Sequence, residues 1–156
     1  MKNNNMIQKL GRPRLLIVGC GDVGLRLLPL VRARFRVFAV TSSAERCAQL
    51  RAAGAIPLVA NLDHPASLKR LARLAGNVVH LAPPQPDGML DRRTRNLTAI
   101  LPEGARLVYV STSGVYGDCQ GALIDETRGV APHNARAASL NSADGTSAFP
   151  ATARHR

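Results

Sequence analysis

Gly19, Gly21 and Gly24 stand in G-x-G-x-x-G spacing between an apolar run and an apolar helical pattern. The run is Leu15, Leu16, Ile17 and Val18, with no polar alternation, which is expected of a strand buried on both faces. The pattern that follows carries Val23, Leu27, Leu28 and Val31 at helical spacing. A strand, a glycine turn and a helix in that order are the context in which this motif binds a dinucleotide. Gly19 would make the tight turn, Gly21 would let backbone approach a pyrophosphate, and Gly24 would let the helix pack against the strand. Asp22 and Val23 open the helix, whose free N–H groups and positive dipole end suit phosphate. They are counted with Gly19, Gly21 and Gly24 as cofactor-binding. A glycine turn with no ligand is the competing reading.

The remaining chain alternates between the same two kinds of segment. Apolar β-rich runs are expected as strands at Arg36 to Thr41, Ala55 to Ala60, Asn77 to Ala82 and Arg106 to Ser111. Helical composition lies between them at Ser43 to Ala53, Pro65 to Ala75 and Gly88 to Leu101. Ser42 or Ser43 is the expected cap of the first of these. Proline sits in the first turn of the second, where it is tolerated. This β-α alternation predicts an α/β fold, a Rossmann-type doubly wound parallel sheet. With the glycine motif at the first turn, the expected strand order is 3-2-1-4-5. The expected organisation is a disordered lead-in over residues 1–13, an NAD(P)-binding domain over 14–133 and a disordered tail over 134–156. The tail is rich in Ala, Ser, Thr and Asn, with Leu140 and Phe149 as its large apolar residues.

The 156-residue length fits one domain, and no apolar run approaches a membrane span. The N-terminal segment lacks the apolar core of a signal peptide, so a cytoplasmic location is expected. Net charge is +11, carried by 18 Arg against 3 Lys. The arginines are dispersed along the helices and aromatic residues make up only 3%, which argues against nucleic acid as the main partner. Cys20, Cys47 and Cys119 have neither metal-ligand spacing nor a disulfide framework.

In a dinucleotide site, an acidic residue ending the second strand binds the ribose 2′-OH of NAD. Thr41 holds that position here, followed by Ser42, Ser43 and, one turn on, Arg46. No carboxylate stands there to repel a 2′-phosphate, and hydroxyls with a guanidinium could bind one. NADP is therefore favoured, with NAD possible. Glu45 argues for NAD, and Arg46 could equally be a solvated helix residue. After the third strand, Asn61 and Leu62 could hold the adenine, or Asn61-Leu62-Asp63 could form an ordinary Asx turn. Ala82 and Pro83, ending the fourth strand, could let backbone lie along the cofactor. His80 is expected in the core, because a strand interior directs it into packing.

The fifth strand runs into Ser111-Thr112-Ser113-Gly114-Val115-Tyr116-Gly117. Together with the glycine motif, this resembles the extended and atypical short-chain dehydrogenase/reductase superfamily, in particular its NAD(P)-dependent epimerase/dehydratase group. The resemblance runs from about Arg14 to about Ala137. It implies a hydride-transfer oxidoreductase acting on a sugar nucleotide. It also implies that Thr112 hydrogen-bonds the reacting substrate oxygen as the catalytic hydroxyl, that Ser111 flanks it at the cofactor, and that Asn61 and Leu62 match the family's Asp-Leu adenine pair.

Two departures bear on activity. The family uses Tyr-x-x-x-Lys as its proton-transfer pair. Here Tyr109 and Tyr116 are followed at that spacing by Ser113 and Gln120, and the lysines are Lys2, Lys9 and Lys69. The family also continues into a substrate-binding part, where this chain passes into the Ala/Ser-rich tail. The expectation is a chain truncated after the fifth strand. A non-catalytic dinucleotide-binding or regulatory module, or an inactive fragment, is the alternative.

Overall fold

The computed structural model describes residues 11–86 and 90–131. Five parallel strands form one sheet: β1 (Arg14–Val18), β2 (Arg36–Thr41), β3 (Ile56–Val59), β4 (Asn77–His80) and β5 (Arg106–Tyr109). Their order is β3-β2-β1-β4-β5, the doubly wound arrangement expected from the sequence. Register is continuous across the middle. Ile17 is level with Ala39 on one side and with Val79 on the other.

Alternate residues of each strand face opposite layers. Leu15, Ile17, Val37 and Ala39 pack with Leu28 of α1 (Asp22–Val31) and Leu50 of α2 (Cys47–Ala52). Leu16, Val18, Phe38, Val40 and Val78 pack with Leu68, Leu71 and Leu97 on the other face. Leu97 belongs to α3 (Arg92–Thr98). From Leu16 to Val18 the first strand has no exposed surface, as an unbroken apolar run buried on both faces requires.

Local detail departs from the sequence reading in three places. Val23, read as part of the apolar helix face, is 60% exposed. Gly24 and Leu28 set the buried face of α1 instead, and position 23 lies about 100° round from Gly24. The segment after His64 is a 3-10 helix (Pro65–Leu71) rather than an α-helix. Leu68 and Leu71 are both fully buried at a spacing that one 3-10 turn matches. The helix expected between Ser43 and Ala53 begins as a short 3-10 turn (Ala44–Arg46), and Ser43 makes no side-chain cap. The lead-in up to residue 10, the tail from 132 and the start of the helix expected from Gly88 lie outside the described residues.

Candidate dinucleotide cleft

The strand order reverses between β1 and β4, so the loops leaving these strands diverge and open a crevice beyond their C-terminal ends. A cleft of about 360 Å3 lies there. It is lined by the glycine turn, by Thr41, Ser42 and Arg46 after β2, by Ala60 to Asp63 after β3, and by Ala82 and Pro83 after β4. Of the residues singled out from sequence, Gly19, Gly21, Thr41, Ser42, Arg46, Asn61, Leu62, Ala82 and Pro83 meet around this space. Asp22, Val23, Gly24, Ser111 and Thr112 do not line it.

The three glycines do different physical work. Gly19 has φ +80°, and a Cβ there would lie 2.4 Å from the Ala82 backbone nitrogen. The β1 turn and the β4 turn therefore touch through bare backbone. The Val18 carbonyl reinforces this by accepting from the N–H groups of Leu81 (2.8 Å) and Ala82 (3.1 Å). At Gly24 a Cβ would meet the Cys20 sulfur at 2.7 Å and Leu81 at 3.4 Å, so this glycine sets how closely α1 packs. Gly21 differs: its nearest neighbour to a Cβ would be the Gly19 carbonyl oxygen at 3.9 Å. The space beside Gly21 is open, and it lies at the cleft. Gly21 is also the N-cap of α1 and supplies no side-chain acceptor to the first-turn N–H groups. Asp22 turns aside to an exposed ion pair with Arg26 (2.9 Å).

The hydroxyl of Thr41 is engaged within its own turn. It accepts from the Ser43 N–H (3.2 Å) and donates to the Ser43 carbonyl (3.3 Å). Ser42 is exposed, and Arg46 donates to the Gln49 side-chain oxygen (3.4 Å). Cys20 is buried under the turn. Burial raises its thiol pKa above the ordinary value, with the Arg46 charge opposing, so the thiol is protonated and inert. Asn61 forms the Asx turn that was one of its two readings, its side-chain oxygen accepting from the Asp63 N–H (2.9 Å).

One feature of the cleft escaped the sequence reading. Arg93 of α3 makes a two-pronged pair with Asp63 (2.7 and 2.6 Å) and donates to the Pro83 carbonyl (3.1 Å). Asn96, one turn on, donates to the Leu62 carbonyl (2.9 Å). α3 thus ties together the walls that follow β3 and β4. The Arg93 bonds hold the Asp63 carboxyl below its usual pKa. The partners are 30 residues apart, so no local pattern signals the pair.

Beside the cleft, between β4, β5 and α3, lies a buried polar chain. Asp91 caps α3, accepting from the Thr94 N–H (2.9 Å) and the Thr94 hydroxyl (2.6 Å). It also accepts from the Tyr109 hydroxyl (2.8 Å). With the Thr94 proton committed to Asp91, His80 Nε2 at 2.9 Å is the donor to Thr94. His80 is fully buried in the strand, as expected, and desolvation lowers its pKa to about 4. The Asp91 charge and, more weakly, the Val18 carbonyl pull the other way. Thr112 caps the 3-10 turn Ser113–Tyr116 by accepting from the Gly114 N–H (3.2 Å), and both Ser111 and Thr112 are exposed.

No family model matches the sequence, and no curated protein does. Solved structures do. A protein assigned as an epimerase from Burkholderia cenocepacia superposes with TM-score 0.71 at 26% identity, over 86% of this chain and 50% of its own. The UDP-glucose 4-epimerase of Thermus thermophilus, solved as a complex with NAD, gives 0.66 at 24%, over 85% and 49%. A short-chain dehydrogenase/reductase superfamily protein from Agrobacterium tumefaciens with bound NAD gives 0.67 at 17%, over 85% and 43%.

The fold is that of the epimerase/dehydratase and short-chain dehydrogenase/reductase proteins. The chain spans about half the length of these structures. Among the described residues, no helix is long and apolar enough to cross a membrane.

Proposed function

We propose that this chain binds a nicotinamide dinucleotide, NADP(H) in preference to NAD(H), in the cleft at the ends of β1 to β4. The observation that carries the reading is the contrast between Gly19 and Gly21. Gly19 is filled against the neighbouring turn, while Gly21 faces open space at a helix N-terminus. A pyrophosphate needs both: a rigid turn, and one backbone position with nothing beyond it. Arg46 and Ser42 supply the 2′-phosphate contacts, with no carboxylate ending β2. The Thr41 hydroxyl contributes by shaping the turn, since both of its roles are used by Ser43. Leu62 offers an apolar wall to the adenine, and Arg93 holds that wall in place through Asp63.

When bound, the cofactor supplies hydride transfer, and the neighbours' names point to a sugar nucleotide as the class of substrate. The residues of this chain bind and orient. Thr112 carries the hydroxyl that would meet substrate beside the cleft. A second reading, a dinucleotide-binding module without turnover, is favoured by the surroundings of both tyrosines. The Tyr109 hydroxyl is committed to Asp91, Tyr116 has Gln120 at the lysine spacing, and no tyrosine–lysine pair exists in the sequence.

Gly21→Val is the direct test. A Cβ at position 21 would meet nothing closer than the Gly19 carbonyl oxygen at 3.9 Å, so the substituted protein is expected to melt close to the original midpoint in the absence of ligand. A ligand bound only by the folded state raises the midpoint by mass action. NADP+ is expected to raise it in the original chain, more than NAD+ does, and to leave Gly21→Val unmoved. An unchanged shift in Gly21→Val would sink the site. An equal shift with both nucleotides would sink the 2′-phosphate assignment. Turnover of a sugar nucleotide with NADPH, lost in Thr112→Ala, would defeat the module reading.

A further inference from the structure

Two arginines border the dinucleotide cleft, and they are held differently. The ion pairs found among the described residues are Asp22–Arg26 and Asp63–Arg93, so Arg46 has no carboxylate partner and bonds to the neutral Gln49 side chain (3.4 Å). Arg93, on α3, has an acceptor at each of its three guanidinium nitrogens. Nε and Nη2 donate to the two carboxylate oxygens of Asp63 (2.7 and 2.6 Å), on the wall after β3. Nη1 donates to the carbonyls of Pro83 (3.1 Å) and Pro84 (3.4 Å), on the wall after β4. Bonds at both ends of the fork place the guanidinium between the two walls and fix the tilt of its plane. The Arg93 side chain still keeps 23% of its surface accessible.

A guanidinium with its edge engaged and its charge matched by a carboxylate is a poor ligand for phosphate. What it still offers is its flat face, and that face stacks on aromatic rings and on nucleic-acid bases. Among the described residues, no aromatic side chain lines the cleft, so a base entering it has no other flat partner. Leu62, on the same wall as Asp63, adds apolar surface, and Asn96 holds its carbonyl (2.9 Å). We propose that the face of Arg93 seats the purine base of the bound dinucleotide, while Arg46 meets the 2′-phosphate. Resting on the dinucleotide reading, this role makes Arg93 a ligand-binding residue and not only a strap between two walls.

The probe is adenosine 2′,5′-bisphosphate, which carries the base and the 2′-phosphate without the nicotinamide. Added to the full chain, it should show nuclear Overhauser contacts from its purine ring protons to the Arg93 side chain. Calorimetric titration then compares two variants whose folding is checked by thermal melts. Arg93→Lys keeps the charge and removes the flat face, and should weaken binding by about tenfold. Asp63→Asn breaks the ion pair and keeps the face, and should weaken it by less than about threefold. Equal weakening by the two variants would leave Arg93 a strap alone and overturn the proposal, as would unchanged binding in Arg93→Lys. Should Arg93→Lys fail to fold, the contacts in the original chain decide. Binding of the probe without those contacts would remove this role of Arg93 alone. No binding of the probe to the original chain would remove the dinucleotide reading and this role together.

Discussion

β2 and β5 are written in similar letters, RVFAVT and RLVY, and end in opposite surroundings. From Val37 onward β2 is buried at every position, with β1 and β3 beside it and packed layers on both faces. β5 has one strand neighbour and alternates between exposed and half-buried. Leu107 packs against the layer of α3, while Val108 and the following Val110 are 58% and 48% exposed on the α1 side of the sheet, beyond the residues that α1 and α2 cover. Strand propensity is satisfied equally in both, so neighbours decide burial. The proposed function divides along the same line. The walls of the cleft come from the turns after β1 to β4. Ser111 and Thr112, expected from the resemblance at the cofactor and at the substrate respectively, follow the open strand. β1 and β2, at the centre of the sheet, are buried from their second residue onward, and β5, which leads to Thr112, is not.

The largest effect should come from breaking the closed half at its tightest point. Gly19→Ala combines a positive φ with a Cβ 2.4 Å from backbone that cannot step aside. A left-handed non-glycine residue alone costs roughly 1–3 kcal/mol, and displacing the β4 turn adds to it. A loss of at least about 3 kcal/mol in urea unfolding is expected, with cofactor binding lost as well. A near-neutral Gly19→Ala would mean that the two turns are not locked together.

The next effect separates the halves by pH. His80 has a folded-state pKa of about 4 against an ordinary 6.5, because burial disfavours its charged form. The unfolded chain therefore binds more protons across this interval. Stability is full above pH 6.5 and falls as pH drops toward 4, by about 3 kcal/mol in all. His80→Gln should flatten that slope in a plot of unfolding free energy against pH. A slope unchanged by the substitution would place the acid sensitivity elsewhere.

The legible parts of the molecule were those whose cause is local. The apolar run, the glycine turn and the helix that follows needed only neighbours in sequence, and the β-α alternation then fixed the strand order. The 3-10 form of Pro65–Leu71 was not legible, since Leu68 and Leu71 fit either helix type and the choice lies in how both reach the sheet. In the cleft, the residues after β1, β2, β3 and β4 were legible because they end strands at the reversal point. Arg93 was not, because its partner Asp63 lies across the cleft. The engagement of the Thr41 hydroxyl with Ser43 was hidden too, being a matter of turn conformation that composition does not carry. Asp91 is a partial case. An aspartate before a helix suggests a cap, but nothing local says that the same carboxylate also takes the Tyr109 hydroxyl.

The smallest effect tests the comparison most directly. Val40 of β2 and Val108 of β5 are the same residue on parallel strands, 2% and 58% exposed. Val40→Ala removes two methyl groups from a filled layer containing Phe38, Leu62 and Leu68, and a loss of about 2 kcal/mol is expected. Val108→Ala removes them from a surface, where a change within about 0.5 kcal/mol is expected. Val108→Thr keeps the branched shape that suits a strand and should be equally mild. The three variants, compared by urea unfolding of the full chain, give a ratio rather than a single number, which cancels shared error in the unfolded reference. If Val108→Ala costs as much as Val40→Ala, the open face of β5 is covered in solution. The contrast between a closed β2 and an open β5 would then have to be redrawn.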